Sequence, residues 1–116
     1  GHLSEVCIAS KVSAEIEAEK IPFLNSVKKF ILSDIFTGAS LRNWEHYKKR
    51  ICMKSSNNNF YKKLLTDPQT SGGLIISVKK QKSNEIIKIL KEHKFVYADI
   101  IGKTKKYDEK HLITVI

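Results

Sequence analysis

At 116 residues the chain has room for one domain, whose core can bury roughly two thirds of the unfolded surface without disulfides or metals. Hydrophobic residues at 41% and charged residues at 28% are ordinary globular values. No apolar stretch approaches the about 18 residues of a membrane span, and no charged n-region precedes an apolar h-region, so neither a membrane nor a secretion signal is expected.

The net charge of +9 is dispersed. Residues 1–20 carry two lysines against four glutamates, residues 21–63 nine bases against two acids, and residues 79–116 ten bases against five acids. Only Arg42 and Arg50 are arginines, whereas base reading and bidentate phosphate binding favour arginine. Basic residues interleaved with aromatics on a strand pair, the sign of single-strand stacking, are absent. A solvated lysine surface without a nucleic-acid partner is the expectation. Cys7 and Cys52 stand alone and His2, His46, His93 and His111 are scattered. This pattern predicts no metal site and two reduced thiols in the cytoplasm. The sequence opens on Gly1 and its one methionine is Met53. It therefore reads as a fragment, a processed product, or a chain with appended residues such as Gly1-His2.

In chain order, residues 2–10 read as the end of a helix with Leu3, Val6 and Cys7 on one face. Val12, Ala14, Ile16 and Ala18 alternate with Ser13, Glu15, Glu17 and Glu19, which predicts a strand with a wet, acidic face. Ile21-Pro22 breaks it. Asn25 or Ser26 is the expected N-cap of a helix carrying Val27, Phe30, Ile31 and Ile35, ended by Thr37-Gly38. Residues 41–52 are ambiguous between helix and strand. Ser55 to Asn59 reads as a solvent loop. Phe60 to Leu65 predicts a short helix ended by Asp67-Pro68, and Leu74 to Val78 a compact apolar strand after two glycines. Ser83 or Asn84 would cap a helix with Ile86, Ile87, Ile89, Leu90 and His93 in one stripe. Val96–Ile101 and Leu112–Ile116 read as strands around a lysine-rich turn at Lys103–Lys106. The mixture defines an α+β domain with helices covering one sheet.

Asp67-Pro68-Gln69-Thr70-Ser71-Gly72-Gly73 is the unusual stretch. Pro68 presets φ for a turn, and Asp67 can bond backbone groups beyond it. Thr70 and Ser71 offer hydroxyls, and the glycine pair admits φ > 0 and leaves its N–H groups uncovered. Two readings are open from spacing alone: a polar turn feeding a buried strand, or a cradle for an oxyanion. No Walker lysine follows, so the loop is not a P-loop.

Leu65-Thr66-Asp67-Pro68-Gln69-Thr70-Ser71-Gly72-Gly73-Leu74-Ile75-Ile76 resembles the signature of selenophosphate synthetase (selenide, water dikinase) C-terminal domains. Three further segments match that family in the right order: Gly1-His2-Leu3-Ser4-Glu5-Val6, Ile21-Pro22-Phe23-Leu24 and Thr37-Gly38-Ala39-Ser40-Leu41-Arg42-Asn43. Thr37 stands where the family often has proline, and Ala39 where it often has a second glycine. The resemblance implies a fold like the C-terminal domain of aminoimidazole ribonucleotide synthetase, with a mixed or antiparallel sheet covered by helices and a partly ferredoxin-like arrangement.

The implied enzyme converts selenide, ATP and water into selenophosphate, AMP and phosphate. Residues 1–116 would be its single C-terminal domain, inactive alone. Mg²⁺ and ATP would be held mainly by an absent N-terminal domain, which also dimerises and carries a reactive Cys or selenocysteine. The substrate and phosphate cleft residues that the resemblance implies in this chain are Thr70, Ser71, Gly72 and Gly73, together with Asp67, Arg42 and Asn43.

Arg42 has an equal alternative as the partner of a local carboxylate. Trp44 and Tyr47, three apart, read as a packing pair. Lys48-Lys49-Arg50 reads as a solvated face. Two competing readings remain: a related kinase or synthetase of the same group, and a basic, non-enzymatic binding module.

Overall fold

The computed structural model describes residues 1–69 and 72–116. Among the described residues it contains five α-helices and one four-stranded sheet, an α+β arrangement. The elements run α1 (His2–Ser10), β1 (Val12–Ile16), α2 (Asn25–Leu32), α3 (Gly38–Tyr47), β2 (Ile51–Met53), α4 (Asn58–Thr66), α5 (Ser83–Glu92), β3 (Gly102–Lys106) and β4 (Ile113–Val115). No helix in the described residues is long and apolar enough to cross a membrane.

Strand order is β2-β4-β1-β3. β1 pairs antiparallel with β3, with Ala14 opposite Thr104 and Ile16 opposite Gly102. It pairs parallel with β4, which pairs parallel with β2. The period of 2 puts Ala14 and Ile16 of β1 and Ile113 and Val115 of β4 on one face. These four, with Cys7, Ala18 and Leu112, form the core cluster. α1 covers this layer through Cys7 and Ser4, while Val6 is 55% exposed, contrary to the face expected for it. Lys11 at its C-terminus takes the left-handed conformation that lets the chain turn directly into β1.

The wet face of β1 is only partly wet. Ser13 is buried, its hydroxyl accepting from the Asp108 amide and donating to the Asp108 carbonyl. Glu15 is flanked by Lys103 at 2.7 Å and Lys105 at 3.1 Å from β3. That pairing explains a correction: Lys103–Lys106 is not a turn but most of an edge strand, on which lysines are tolerated because one side faces solvent. The expected strand at Val96–Ile101 is correspondingly absent. Gly102 marks the closest approach of the two strands, because a Cβ there would lie 2.2 Å from the Glu15 carbonyl oxygen.

Further corrections concern element ends. Leu24 holds the N-cap position of α2 without a side-chain cap, so neither Asn25 nor Ser26 caps it, and the helix ends at Leu32, with Asp34 at φ 61° reversing the chain. Thr37 then opens α3 instead of ending α2: its Oγ1 accepts from the Ser40 amide at 3.2 Å. α3 and β2 resolve the ambiguous stretch 41–52. Asp67 is the C-cap of α4 and turns the chain extended, as Pro68 requires of the residue before it. Ser83 begins α5 but does not cap it; its hydroxyl donates back to the Lys80 carbonyl.

The apolar run Leu74–Val78 forms no strand. Leu74 is 89% exposed, and both sides of β1 are paired, with β4 and with β3. α5 has the expected apolar stripe, yet none of its residues is buried.

Candidate functional site

The helical side of the molecule brings together two segments that the resemblance singled out. α3 packs on α4, and α4 on α2. Through the first contact the loop opening α3 meets the start of the heptad. Ser40, 2% exposed, donates from Oγ to Asp67 Oδ1 at 3.4 Å. Asn43, one turn further along α3, donates from Nδ2 to the Thr66 carbonyl at 2.9 Å. That carbonyl belongs to the last turn of α4, where helix carbonyls lack intrahelical partners. Thr66 Oγ1 in turn donates to the Lys62 carbonyl at 2.7 Å, and Gln69 Nε2 lies 3.5 Å from Asp67 Oδ2. The Asp67 carboxylate thus accepts from the Ser40 and Gln69 side chains, one on each of its oxygens.

Beside this junction a cavity of about 280 Å³ opens between the helices, lined in part by Asp34, Phe36, Ser40, Lys62, Lys63 and Thr66. Its two lysines are already engaged. Lys62 lies over the Trp44 ring, 5.0 Å from its centroid. Lys63 lies over Phe36 and pairs with Asp34. Trp44 is therefore a partner of Lys62, whereas Tyr47 donates to Glu5 at 3.3 Å and meets His46 edge-on, so the two rings do not form the expected pair.

Of the residues singled out in sequence, Asn43 and Asp67 are brought to the same junction. Arg42 is exposed on α3 and makes no ion pair among the described residues. Gly72 and Gly73 are exposed, and no positive φ is found among the glycines of the described residues. A Cβ on Gly72 would come within 2.9 Å of the Gln69 side chain, while Gly73 has open space. Thr70 and Ser71 lie outside the described residues. Sequence reading missed Thr37, Ser40 and Thr66 as participants. The available signal was Thr37 three residues before Ser40, the spacing of an N-cap and the amide it accepts from.

Other polar groups do not assemble catalytic machinery among the described residues. Asp108 accepts from the His111 amide, the His111 ring and the Lys110 amide, which holds its carboxyl below the ordinary value. Ser13 is nearby but bonds only the Asp108 main chain, so no serine–histidine relay forms. The hydrogen bonds of Lys103 and Lys105 hold the Glu15 carboxyl low. Burial raises the Cys7 thiol. No three His, Cys, Asp or Glu side chains among the described residues are placed to hold a metal. The Mg²⁺ implied by the resemblance finds no fitting donor set among the described residues, since it calls for carboxylates clustered around substrate phosphates.

Comparison with known proteins identifies the class. Residues 1–114 match the family model of the AIR synthase related protein, C-terminal domain, and the chain belongs to that family. Within it, the chain is similar to proteins named selenide, water dikinase. That of Sulfurimonas denitrificans is 40% identical over 116 residues, covering 100% of this chain and 32% of the relative. That of Pseudomonas straminea is 38% identical over 103 residues, covering 89% and 29% respectively. That of Dechloromonas aromatica is 35% identical over 103 residues, covering 89% and 30%. The chain thus spans about a third of the length of the curated relatives it matches.

Proposed function

We propose that this chain is the C-terminal domain of a selenide, water dikinase, the enzyme that makes selenophosphate, AMP and phosphate from selenide, ATP and water. The similarity to proteins of that name along the whole chain carries the reading. Residues 65–76, with the complete Asp67-Pro68-Gln69-Thr70-Ser71-Gly72-Gly73 run, are its most specific part. In this reading the chain works in the cytoplasm beside an N-terminal domain, within a homodimer, and binds neither nucleic acid nor membrane.

Cleaving two phosphoanhydrides requires carboxylates that hold Mg²⁺ across the phosphates, and a positioned nucleophile or cation at phosphorus. Asp67, engaged by Ser40 and Gln69, and Glu15, engaged by two lysines, are poorly suited to that task. The N-terminal domain supplies it instead. The contribution of residues 67–73 is to line the cleft, where the Thr70 and Ser71 hydroxyls and the following amides meet an anion. Arg42 adds a positive charge from the exposed side of α3.

The purified chain with ATP, Mg²⁺ and selenide, followed by phosphorus NMR, is expected to form no AMP, while the whole enzyme does. AMP formed by the chain at the whole enzyme's rate would overturn the division of labour. Nucleic-acid affinity falling steeply with salt would favour a basic binding module instead.

A further inference from the structure

From the geometry we infer that Asn43, assisted by Ser40, is a positioning residue that holds the entry of the heptad loop in its working register. The inference rests on the proposed cleft role of that loop. Asn43 was singled out in sequence as a cleft contact. Its amide donates to the Thr66 carbonyl at 2.9 Å, across 23 residues of chain. Ser40 is almost fully buried, and its hydroxyl donates to Asp67 across 27 residues.

The two bonds fall on consecutive residues, Thr66 and Asp67, at the point where α4 ends and the backbone turns extended. Pro68 follows and has no amide of its own to offer, so one backbone donor is missing at the loop entry. Both donors sit on one helix whose first turn is capped by Thr37. The helix is a rigid element, and geometry supplied from helices is held more accurately than geometry supplied from loops. Loss of the Asn43 amide leaves the Thr66 carbonyl at a helix end without that partner. It also frees the following residues to shift by a fraction of an ångström, a displacement that matters for a reacting group.

The test uses the full-length enzyme, in the residue numbers of this chain. Asn43→Ala is expected to lower kcat/KM about tenfold and Ser40→Ala about threefold. The melting temperature should stay within about 3 °C of wild type. Glu45→Ala, an exposed change on the same helix, should match wild type. Hydrogen exchange should quicken at the Asp67 and Gln69 amides in Asn43→Ala and stay unchanged at Ile113–Val115. A merely structural role would quicken exchange in both places and lower activity only with the folded fraction. If Asn43→Ala does not fold, Asn43→Ser, which keeps a shorter donor, is measured in its place against the same criteria. Wild-type kcat/KM in both variants, with activity abolished by Gly72→Val, overturns the positioning role and leaves the cleft reading standing. Wild-type activity in all of them, Gly72→Val included, overturns the cleft reading as well.

Discussion

Ile113–Val115 and Leu74–Val78 are both short, apolar and β-prone, yet they meet opposite fates. β4 sits between β1 and β2, its backbone paired on both sides and Val115 2% exposed. Leu74–Val78 has no ladder, and its apolar side chains are 40–89% exposed. The same contrast extends to α5 and to Phe95, Val96 and Tyr97, which are 62–74% exposed, against α1, whose Cys7 is 1% exposed. Apolar composition makes a segment willing to be buried, but only a neighbour with free backbone groups or a facing apolar surface buries it.

Four changes test that contrast. The largest effect is expected where the sheet is tightest. Gly102→Ala places a methyl 2.2 Å from the Glu15 carbonyl oxygen, so β1 and β3 must separate. A loss of more than about 4 kcal/mol is expected by chemical denaturation. An unchanged midpoint would show that β3 is not held against β1.

Leu112→Ala and Leu74→Ala form the direct comparison. The first removes a fully buried side chain and should cost about 3 kcal/mol. The second removes one that is 89% exposed and should lie within about 0.5 kcal/mol of wild type. Equal costs would mean that Leu74–Val78 is packed in solution and that the difference between the two regions has collapsed. Slow amide exchange across residues 74–78 would break it in the same way.

The smallest effect is electrostatic. Hydrogen bonds from Lys103 and Lys105 lower the Glu15 carboxyl below its unfolded value of 4.5. The folded state then binds the proton less readily than the unfolded one. The stabilisation is present above pH 4.5 and is lost as pH falls through the lowered folded value. Glu15→Gln should show a flatter melting temperature between pH 6 and 3 than wild type. Parallel curves would remove the β1–β3 ion pairs from the account.

Local signals in the sequence sufficed for much of the fold. Alternation from Val12 to Ile16 marked a strand, the stripe from Ile86 to Leu90 marked a helix, and Asp67-Pro68 marked a helix end, because each depends on neighbours within one or two turns. The heptad was equally legible as the distinctive segment, since Pro and paired Gly restrict or free the backbone wherever they stand. Its partners were not. Nothing within a few residues of Asn43 announces that its amide will meet the Thr66 carbonyl, or that Ser40 will be buried against Asp67. Those contacts exist because α3 packs on α4. The same holds for Lys103–Lys106, which read as a turn by composition and became a strand because Glu15 and the free side of β1 were there to receive it. Sequence alone determined the segments whose local signals are strong, such as the strand at Val12–Ile16 and the helix end at Asp67-Pro68. Tertiary structure decided which extended segments found a partner, because pairing and burial are properties of two surfaces and not of one.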